Sequence, residues 1–268
     1  MKDAMPTPFS QSDPLDPARA QALQATLGAS ADLAVGDELP PFFHQLYFWT
    51  PHPPDHLGRD GHPKTGGLIP DMGLPRRMWA GGRMLFHQPL RLGFSADRRS
   101  VCTASEEKSG RSGALGLVTL RHDIYQDATL CLTEFQDLIY REDSDPNAPA
   151  PQPAIARTDE DNLQKTAFDT TLLFRYSALT FNGHRIHYDE DYARNVEGYS
   201  GLVVHGPLLA QYLMLMAQRL LGRLKAFEFR ATAPLMHWET AELCQRGHAL
   251  WVRAPDGRQC MTATATPL

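Results

Sequence analysis

The chain alternates apolar and polar residues in two groups of short stretches. This period of two is typical of antiparallel strands with one buried face, and Gly, Asp and Ser turns separate the stretches. In the first half the stretches lie at 87–95, 99–108, 113–122 and 129–141. In the second half they lie at 171–178, 225–231, 239–246, 248–254 and 259–266. The pattern therefore predicts two sheet-rich units.

Two other stretches have the features of helices. Residues 207–221 are apolar on nearly every side, follow a glycine and precede a glycine, which predicts a helix buried inside other structure. Residues 17–28 begin with proline and end with glycine, and they predict a shorter helix. A central helix wrapped by an antiparallel sheet is an α+β arrangement. The second half shows it more clearly than the first.

Three stretches follow neither period. Residues 1–16 are rich in Pro, Ser and Asp and are predicted to form a mobile leader. Residues 40–85 combine many Pro and Gly with aromatic residues, which suits either a binding loop or a cover that completes a core. Residues 143–156 are rich in Pro, Ala and Asp and nearly free of large apolar side chains. We therefore expect a linker at 143–165.

Composition limits the classes of function. The 268 residues suffice for a sizeable core. The formal net charge of −5 argues against a nucleic-acid-binding surface. The four cysteines are scattered and form no C-x-x-C pair, which favours reduced thiols in a cytoplasm. No apolar stretch approaches the roughly 20 residues of a membrane span. We therefore expect a cytoplasmic protein without nucleic-acid or membrane partners.

Polar residues with catalytic chemistry concentrate between residues 175 and 209. They are Asn182, His184, His187, Asp189, His205 and Gly206. Adding water to an unsaturated thioester needs a base for the water and a donor for the enolate oxygen. A neutral imidazole suits the first task, so His187 is the candidate base. An unpaired amide at a helix N-terminus suits the second, which favours Gly206. Asn182 is placed to orient the water.

The amino-acid sequence of this segment resembles a known family motif. S-A-L-T-F-N-G-H-R-I-H-Y-D at 177–189 and G-L-V-V-H-G-P-L at 201–208 resemble the MaoC-like, or R-specific enoyl-CoA hydratase 2, superfamily of hotdog folds. Within it they look like the type 2 hydroxyacyl-thioester dehydratases, a branch that includes mesaconyl-C4-CoA and itaconyl-CoA hydratases. The resemblance covers residues 170–268 well. R-R-M-W-A-G-G at 76–82 resembles the N-terminal domain of that branch.

The resemblance implies a double hotdog, each half an antiparallel sheet wrapped round a central helix. The unit at 17–142 is then non-catalytic and shapes the acyl pocket, and the unit at 166–268 is catalytic. The implied activity is a hydro-lyase that reversibly hydrates an enoyl-CoA, such as mesaconyl-C4-CoA or itaconyl-CoA, to citramalyl-CoA. CoA is then part of the substrate, and neither a cofactor nor a metal is expected. A homo-oligomer is expected, with a dimer favoured.

The resemblance also implies roles for single residues. His187, Asn182 and Gly206 form the expected catalytic set. Asn182 stands where the general hydratase motif has Asp, so the proton donor for the α-carbon stays open between His187 and the nearby carboxylates of residues 189–191. The expected substrate-binding residues are His205, Arg185, Arg175, Tyr188 and Val204. A distal carboxylate could pair with Arg175, Arg185 or Arg77.

Three alternatives stay open. One is a 3-hydroxyacyl-carrier-protein or 3-hydroxyacyl-CoA dehydratase of fatty acid metabolism, which a long apolar tunnel would favour over a short pocket ending in Arg. The others are a hotdog acyl-CoA thioesterase and a non-catalytic acyl-CoA sensor, and fold alone decides between none of them. His184, His187 and His205 could also suggest a metal site, but no cysteine has ligand spacing.

Overall fold

The computed structural model describes residues 8–110, 113–143 and 152–268. Its strands are β1 (Phe9–Asp13), β2 (Arg76–Phe86), β3 (Ala96–Gly110), β4 (Gly113–Gln126), β5 (Thr129–Arg141), β6 (Asn162–Thr166), β7 (Leu224–Ala231), β8 (Ala241–Arg246), β9 (Ala249–Arg253) and β10 (Gln259–Pro267). They form one ten-stranded sheet in the order β1-β3-β4-β5-β2-β7-β10-β9-β8-β6. All of these pairings are antiparallel. The first five strands in that order come from the first half of the chain.

The longest helix lies at the centre of the second half, as its all-round apolar pattern predicts. The helices are α1 (Pro17–Thr26), α2 (Thr170–Leu179), α3 (Glu190–Asn195) and α4 (Gly206–Leu221). Helix α4 packs against β7, β8, β9, β10 and β2, and most of its side chains are buried. In the first half, α1 and the apolar residues 42–48 supply the core instead of a long helix. Among the described residues, no helix is long and apolar enough to cross a bilayer.

The two halves join where β2 pairs with β7, and two glycines allow the close approach. A Cβ on Gly81 would lie 2.6 Å from the carbonyl oxygen of Phe229, and one on Gly82 would lie 2.7 Å from that of Phe135. Side chains cannot fit at either position. The R-R-M-W-A-G-G stretch therefore forms the seam between the halves, and its tryptophan, Trp79, lies next to the start of α4.

Two predicted strands are wrong. Residues 171–178 form helix α2, because Asp169 caps it by accepting a hydrogen bond from the amide of Leu172 (2.7 Å) and because the buried residues 173, 176 and 177 follow a helical spacing. Residues 87–95 form a loop, since Pro89 interrupts the ladder. The strand next to this loop is β2, which lies inside the stretch that showed no period.

Two predicted boundaries also change. Residues 9–13 of the predicted mobile leader form β1, and the carboxylate of Asp13 accepts hydrogen bonds from the backbone of Leu15 and Phe48. Residues 1–7 lie outside the described residues. In the predicted linker at 143–165, residues 162–165 belong to β6, and the amide of Ala156 donates to the carbonyl of Gly257. This part therefore packs on the second half, while residues 144–151 lie outside the described residues.

Candidate active site

The motif segments meet through backbone hydrogen bonds beside the start of α4. The amide of Val203 donates to the carbonyl of Ile186 (3.0 Å), and the amide of Val204 donates to that of Leu235 (2.8 Å). The first bond holds the loop at 182–188 against residue 203, and the second holds residue 204 against the segment before β8. The structure thus brings together His187, His205, Val204 and Gly206, as the sequence predicts.

His187 is a buried imidazole whose tautomer is set by its partner. Its Nδ1 lies 2.8 Å from the carbonyl oxygen of Val203. A carbonyl only accepts, so Nδ1 carries the proton and Nε2 has the free lone pair. Burial first, and then the neighbouring His205 and His184, hold the pKa of His187 well below its usual range. The ring therefore stays neutral at physiological pH and is suited to accept a proton.

His205 supports His187 from one face. The two rings are stacked with centroids 3.6 Å apart and an interplanar angle of 21°. The Nε2 of His205 lies 2.8 Å from the hydroxyl of Ser177, and Tyr176 packs edge-on against the same ring at 5.0 Å. Burial, followed by the charge of His184, lowers the pKa of His205 to about 3. His205 is fully buried, so it packs against the ring of His187 and holds that ring in place.

Gly206 places a free amide beside this pair. It is the first residue of α4, and its N–H makes no hydrogen bond to any residue that the structure describes. Residues 201–211 are buried except Gly206, which keeps partial exposure. The positive end of the helix dipole and an unpaired donor therefore meet accessible space at this point. Such a donor can hold an enolate oxygen.

His184 is the second histidine that contacts His187. Its ring meets that of His187 edge-on at 5.4 Å, and its buried Nε2 has no hydrogen-bond partner among the described residues. The nearest anion is Glu197, with Oε1 3.9 Å from Nε2. Glu197 is itself buried, and Arg76 donates to its Oε2 at 2.7 Å. Burial alone would raise the pKa of Glu197, but His184 and Arg76 keep it lowered.

Asp60 and His62 join the site from the first half, and the sequence interpretation missed both. The ring of His62 lies 4.6 Å from that of His184, and its Nδ1 donates to Asp60 at 2.9 Å. Burial would raise the pKa of Asp60, but His62 holds it well below its usual range. The ligand atoms of Asp60, His62 and His184 lie within 4.8 Å of one another and could hold a metal ion. The hydrogen bond between His62 and Asp60 already occupies the Nδ1 of His62 and one carboxylate oxygen of Asp60.

Asn182 has a structural task at this site. Its Oδ1 accepts a hydrogen bond from the amide of His184 (3.0 Å), and its own amide donates to the carbonyl of Ser177 (2.8 Å). The side-chain oxygen therefore fixes the turn that presents His184. Its side-chain NH2 makes no hydrogen bond within the described part of the chain and is left to meet a water. Water orientation by Asn182 stays a prediction.

The other predicted binding residues differ in their availability. Arg185 donates to Asp189 at 2.6 Å and lies 4.2 Å above the ring of Tyr192, so its charge is already paired. Arg175 is exposed on α2, whereas the neighbouring residues 176 and 177 face His205. The hydroxyl of Tyr188 donates to the carbonyl of Gly183 (2.8 Å). Among the described residues, no side-chain hydrogen bond or ring contact joins any of these three to the imidazole of His187.

A cleft of about 370 Å³ opens next to His62. Its lining includes Arg77 and Tyr140, which face each other across β2 and β5. Basic side chains of Arg59 and Lys64 also line it. The first part of the Pro- and Gly-rich segment before β2 completes the core, as one of the two interpretations predicts, and its later part borders this cleft. Binding by the segment stays a prediction.

Comparisons with known proteins identify relatives over most of the chain. The family described as hydroxyacyl-thioester dehydratase type 2 matches residues 42–237. A mesaconyl-C(4)-CoA hydratase of Chloroflexus aurantiacus is 45% identical over 254 residues, which cover 92% of this chain and 90% of that protein. Both halves of the molecule and every motif residue described above fall within the family match or next to it.

Solved structures agree on the fold. HtdX of Mycobacterium tuberculosis is 16% identical and has a TM-score of 0.69, covering 98% of this chain and all of that one (100%). A second protein of that organism, described as a double hotdog fold, is 16% identical with a TM-score of 0.60 and covers 98% of this chain and 95% of its own. The predicted double hotdog of the α+β class is confirmed.

Proposed function

Because the chain belongs to the hydroxyacyl-thioester dehydratase type 2 family, we propose that it reversibly hydrates a short, branched, dicarboxylic enoyl-CoA, with mesaconyl-C4-CoA as the first choice and itaconyl-CoA as the second. The relative that is 45% identical carries the first name. Hydration gives a hydroxyacyl-CoA such as citramalyl-CoA, and the reverse step is the dehydration after which the family is named.

One observation carries the proposal: a neutral base stacks on the histidine that directly precedes a free amide. His187 has its proton on Nδ1 and its lone pair on Nε2, and the stacked ring of His205 connects it to the free N–H of Gly206. Water adds to the β-carbon of the enoyl group while Nε2 of His187 takes its proton. The electrons of the double bond move toward the thioester oxygen, where the Gly206 amide stabilises the enolate.

The α-carbon then needs a proton to complete the addition. His187 can return the proton that it took from water, which balances the reaction without a further group. His184 is the second imidazole within reach, and its Nε2 faces the Glu197 carboxylate at 3.9 Å. The carboxylates of residues 189–191 fit less well: Asp189 pairs with Arg185 and caps α3, and Glu190 pairs with Arg194.

The first experiment is a turnover assay on a panel of thioesters. Loss of the enoyl absorbance is followed with mesaconyl-C4-CoA, itaconyl-CoA and crotonyl-CoA, and free CoA is measured in parallel with a thiol reagent. The proposal expects loss of the double bond without CoA release. CoA release at the same rate would make the protein a thioesterase, and binding without turnover would make it a sensor. Preference for a long straight chain would favour the fatty acid dehydratase.

The second experiment replaces the base. His187→Ala is expected to lower kcat by about 10²–10⁴-fold, the usual contribution of general acid–base catalysis. His87→Gln is the matched control, because that exposed histidine makes its side-chain contact with Thr133, outside the site. Near-normal turnover by His187→Ala, with a melting temperature close to that of the wild type, would refute the assignment.

Three further expectations stay proposals. The reaction uses only side chains and amides of this chain, so activity is expected to survive dialysis against a chelator. A homodimer is expected in solution and is tested by light scattering. A cytoplasmic location is expected and is tested by fractionating cells that produce the protein.

A further inference from the structure

The cleft beside His62 contains two polar groups without partners. The hydroxyl of Tyr140 is buried and makes no hydrogen bond to the described residues. The guanidinium group of Arg77 makes no hydrogen bond or ion pair within the described ranges, although its charge acts on both His62 and Tyr140. A buried hydroxyl without a partner carries the cost of its lost hydration. A ligand that accepts hydrogen bonds from both groups would remove that cost.

Arg77 and Tyr140 are hydrogen-bond donors in this cleft, which the carboxylates of Asp60 and Asp71 also line. Burial raises the pKa of Tyr140, so its hydroxyl keeps its proton. His62 already donates its Nδ1–H to Asp60 at 2.9 Å, so that N–H is not available to a ligand. Arg77 and Tyr140 are Cα partners on neighbouring strands, and together they offer a guanidinium and an O–H to one anion.

The order of groups along the site indicates which anion fits. His187 contacts His205, which precedes Gly206, and it also contacts His184; His184 in turn contacts His62, which lines the cleft. With the thioester oxygen at Gly206 and the β-carbon at His187, an acyl group that continues past His184 reaches His62 and the cleft. The phosphates of CoA lie on the opposite side of the thioester, at the far end of the pantetheine arm.

We propose that Arg77 and Tyr140 bind the free carboxylate of a dicarboxylic enoyl thioester and thereby select it over a monocarboxylic one. This inference rests on the proposed function. It also decides between the three arginines that the sequence offers, because Arg185 is paired with Asp189 and Arg175 is exposed on α2. The cleft then works as a specificity site in the first half of the chain that serves a catalytic centre in the second.

The test compares two thioesters of the same shape. Mesaconyl-C4-CoA carries a carboxylate where 3-methylcrotonyl-CoA carries a methyl group. Arg77→Met and Tyr140→Phe are each expected to lower kcat/KM for the dicarboxylic substrate by about 10- to 100-fold, the range for hydrogen bonds to a charged group. The value for 3-methylcrotonyl-CoA is expected to stay within about twofold of the wild type, and Arg77→Lys is expected to restore part of the loss.

Two controls keep the result interpretable. Arg83→Met removes an exposed cation from the same strand that stacks on Phe135 away from the cleft, and it is expected to change neither substrate. Tyr140→Phe removes only an oxygen that lacks a partner, so the melting temperature is expected to hold or rise.

The outcomes separate this inference from the proposed function. If wild-type protein hydrates 3-methylcrotonyl-CoA and the variants lose both substrates equally, Arg77 contacts CoA or maintains the fold, and the inference is overturned. If the variants lose neither substrate, the cleft does not bind the carboxylate, and the inference is overturned while the proposed function stands. If wild-type protein hydrates no enoyl thioester, both fail together.

Discussion

The amide of Gly206 can be deleted without shortening α4, which makes it the sharpest test of the mechanism. Proline has no N–H and is favoured in the first turn of a helix. The preceding residue, His205, has φ −58° and ψ 129°, the extended backbone that a following proline prefers. Gly206→Pro therefore removes one donor while keeping the local chain path.

Gly206→Ala is the matched control because it keeps the N–H. A Cβ at this position would lie 3.6 Å from the carbonyl oxygen of Trp79, an ordinary contact. Both substitutions place a Cβ next to Pro207 and strain the helix start in the same way. The two variants are therefore expected to have similar melting temperatures, and the difference in their rates isolates the amide.

The expected effect follows from the environment of the donor. The N–H is unpaired, lies at the positive end of a 16-residue helix and retains access to the site. Losing one oxyanion donor of this kind costs about 2.7–4 kcal/mol, or about 10²–10³ in kcat. Gly206→Pro is expected to lose that factor in both kcat and kcat/KM, whereas Gly206→Ala stays within about tenfold. A Gly206→Pro enzyme with normal kcat and raised KM would mean that the ring only hinders entry, and the oxyanion role would be refuted.

Two further predictions concern pH. Because the pKa of His187 lies well below 6.5, kcat/KM for hydration is expected to stay flat from pH 8 to below pH 6. At pH 6 only about a quarter of an ordinary histidine would be neutral. A decline of kcat/KM centred near pH 6.5 would contradict the buried neutral base. The pKa values of His122, His62 and His205 are lowered to about 4, 3 and 3, mainly by burial. At acid pH the unfolded chain therefore binds protons that these buried histidines exclude in the folded chain. Their contribution to the free energy of unfolding is present in full above about pH 6.5, and the free energy of unfolding falls by about 2 kcal/mol per histidine between pH 7 and pH 5. Urea titrations at both pH values are expected to show a smaller fall for His122→Gln, which lies outside the site, and an equal fall would count against the assignment.

The second half of the fold could be predicted further than the first. Helix α4 carries its signal locally, in an apolar stretch between glycines, and the strands after it alternate as strands do. In the first half, β2 has two glycines where the seam requires close contact. Those glycines serve pairing with strands distant in sequence, so no local period marks the strand. The prediction of a strand at helix α2 was wrong because the helix buries only one short face, residues 173, 176 and 177. Over so few residues this spacing resembles the apolar–polar alternation of a strand.

The candidate site could be predicted from the sequence in part, because one continuous stretch, 182–206, supplies most of its residues. The residues that pack against this stretch were not predicted, because Asp60 and His62 come from more than a hundred positions earlier in the chain. Glu197 lies between the two motif segments and looks like an ordinary surface carboxylate in the sequence. Only packing shows that it is buried against His184 and held by Arg76. The contacts of Glu197 leave no spacing signal in the sequence.

One signal for Asp60 and His62 does exist, and it explains how the two halves build one site. Asp60-Gly61-His62 repeats the pattern of Asn182-Gly183-His184, and in both turns the first side chain accepts from the amide two residues on (3.0 Å each). The turns meet at their glycines: a Cβ on Gly61 would lie 2.0 Å from the carbonyl oxygen of Gly183. Each half thus contributes one histidine on one such turn, and the contact of 4.6 Å between the two rings depends on two positions that tolerate no side chain. The carboxylate that the second turn lacks at Asn182 is present in the first turn at Asp60. The first half therefore supplies the site with a charged side chain as well as a histidine.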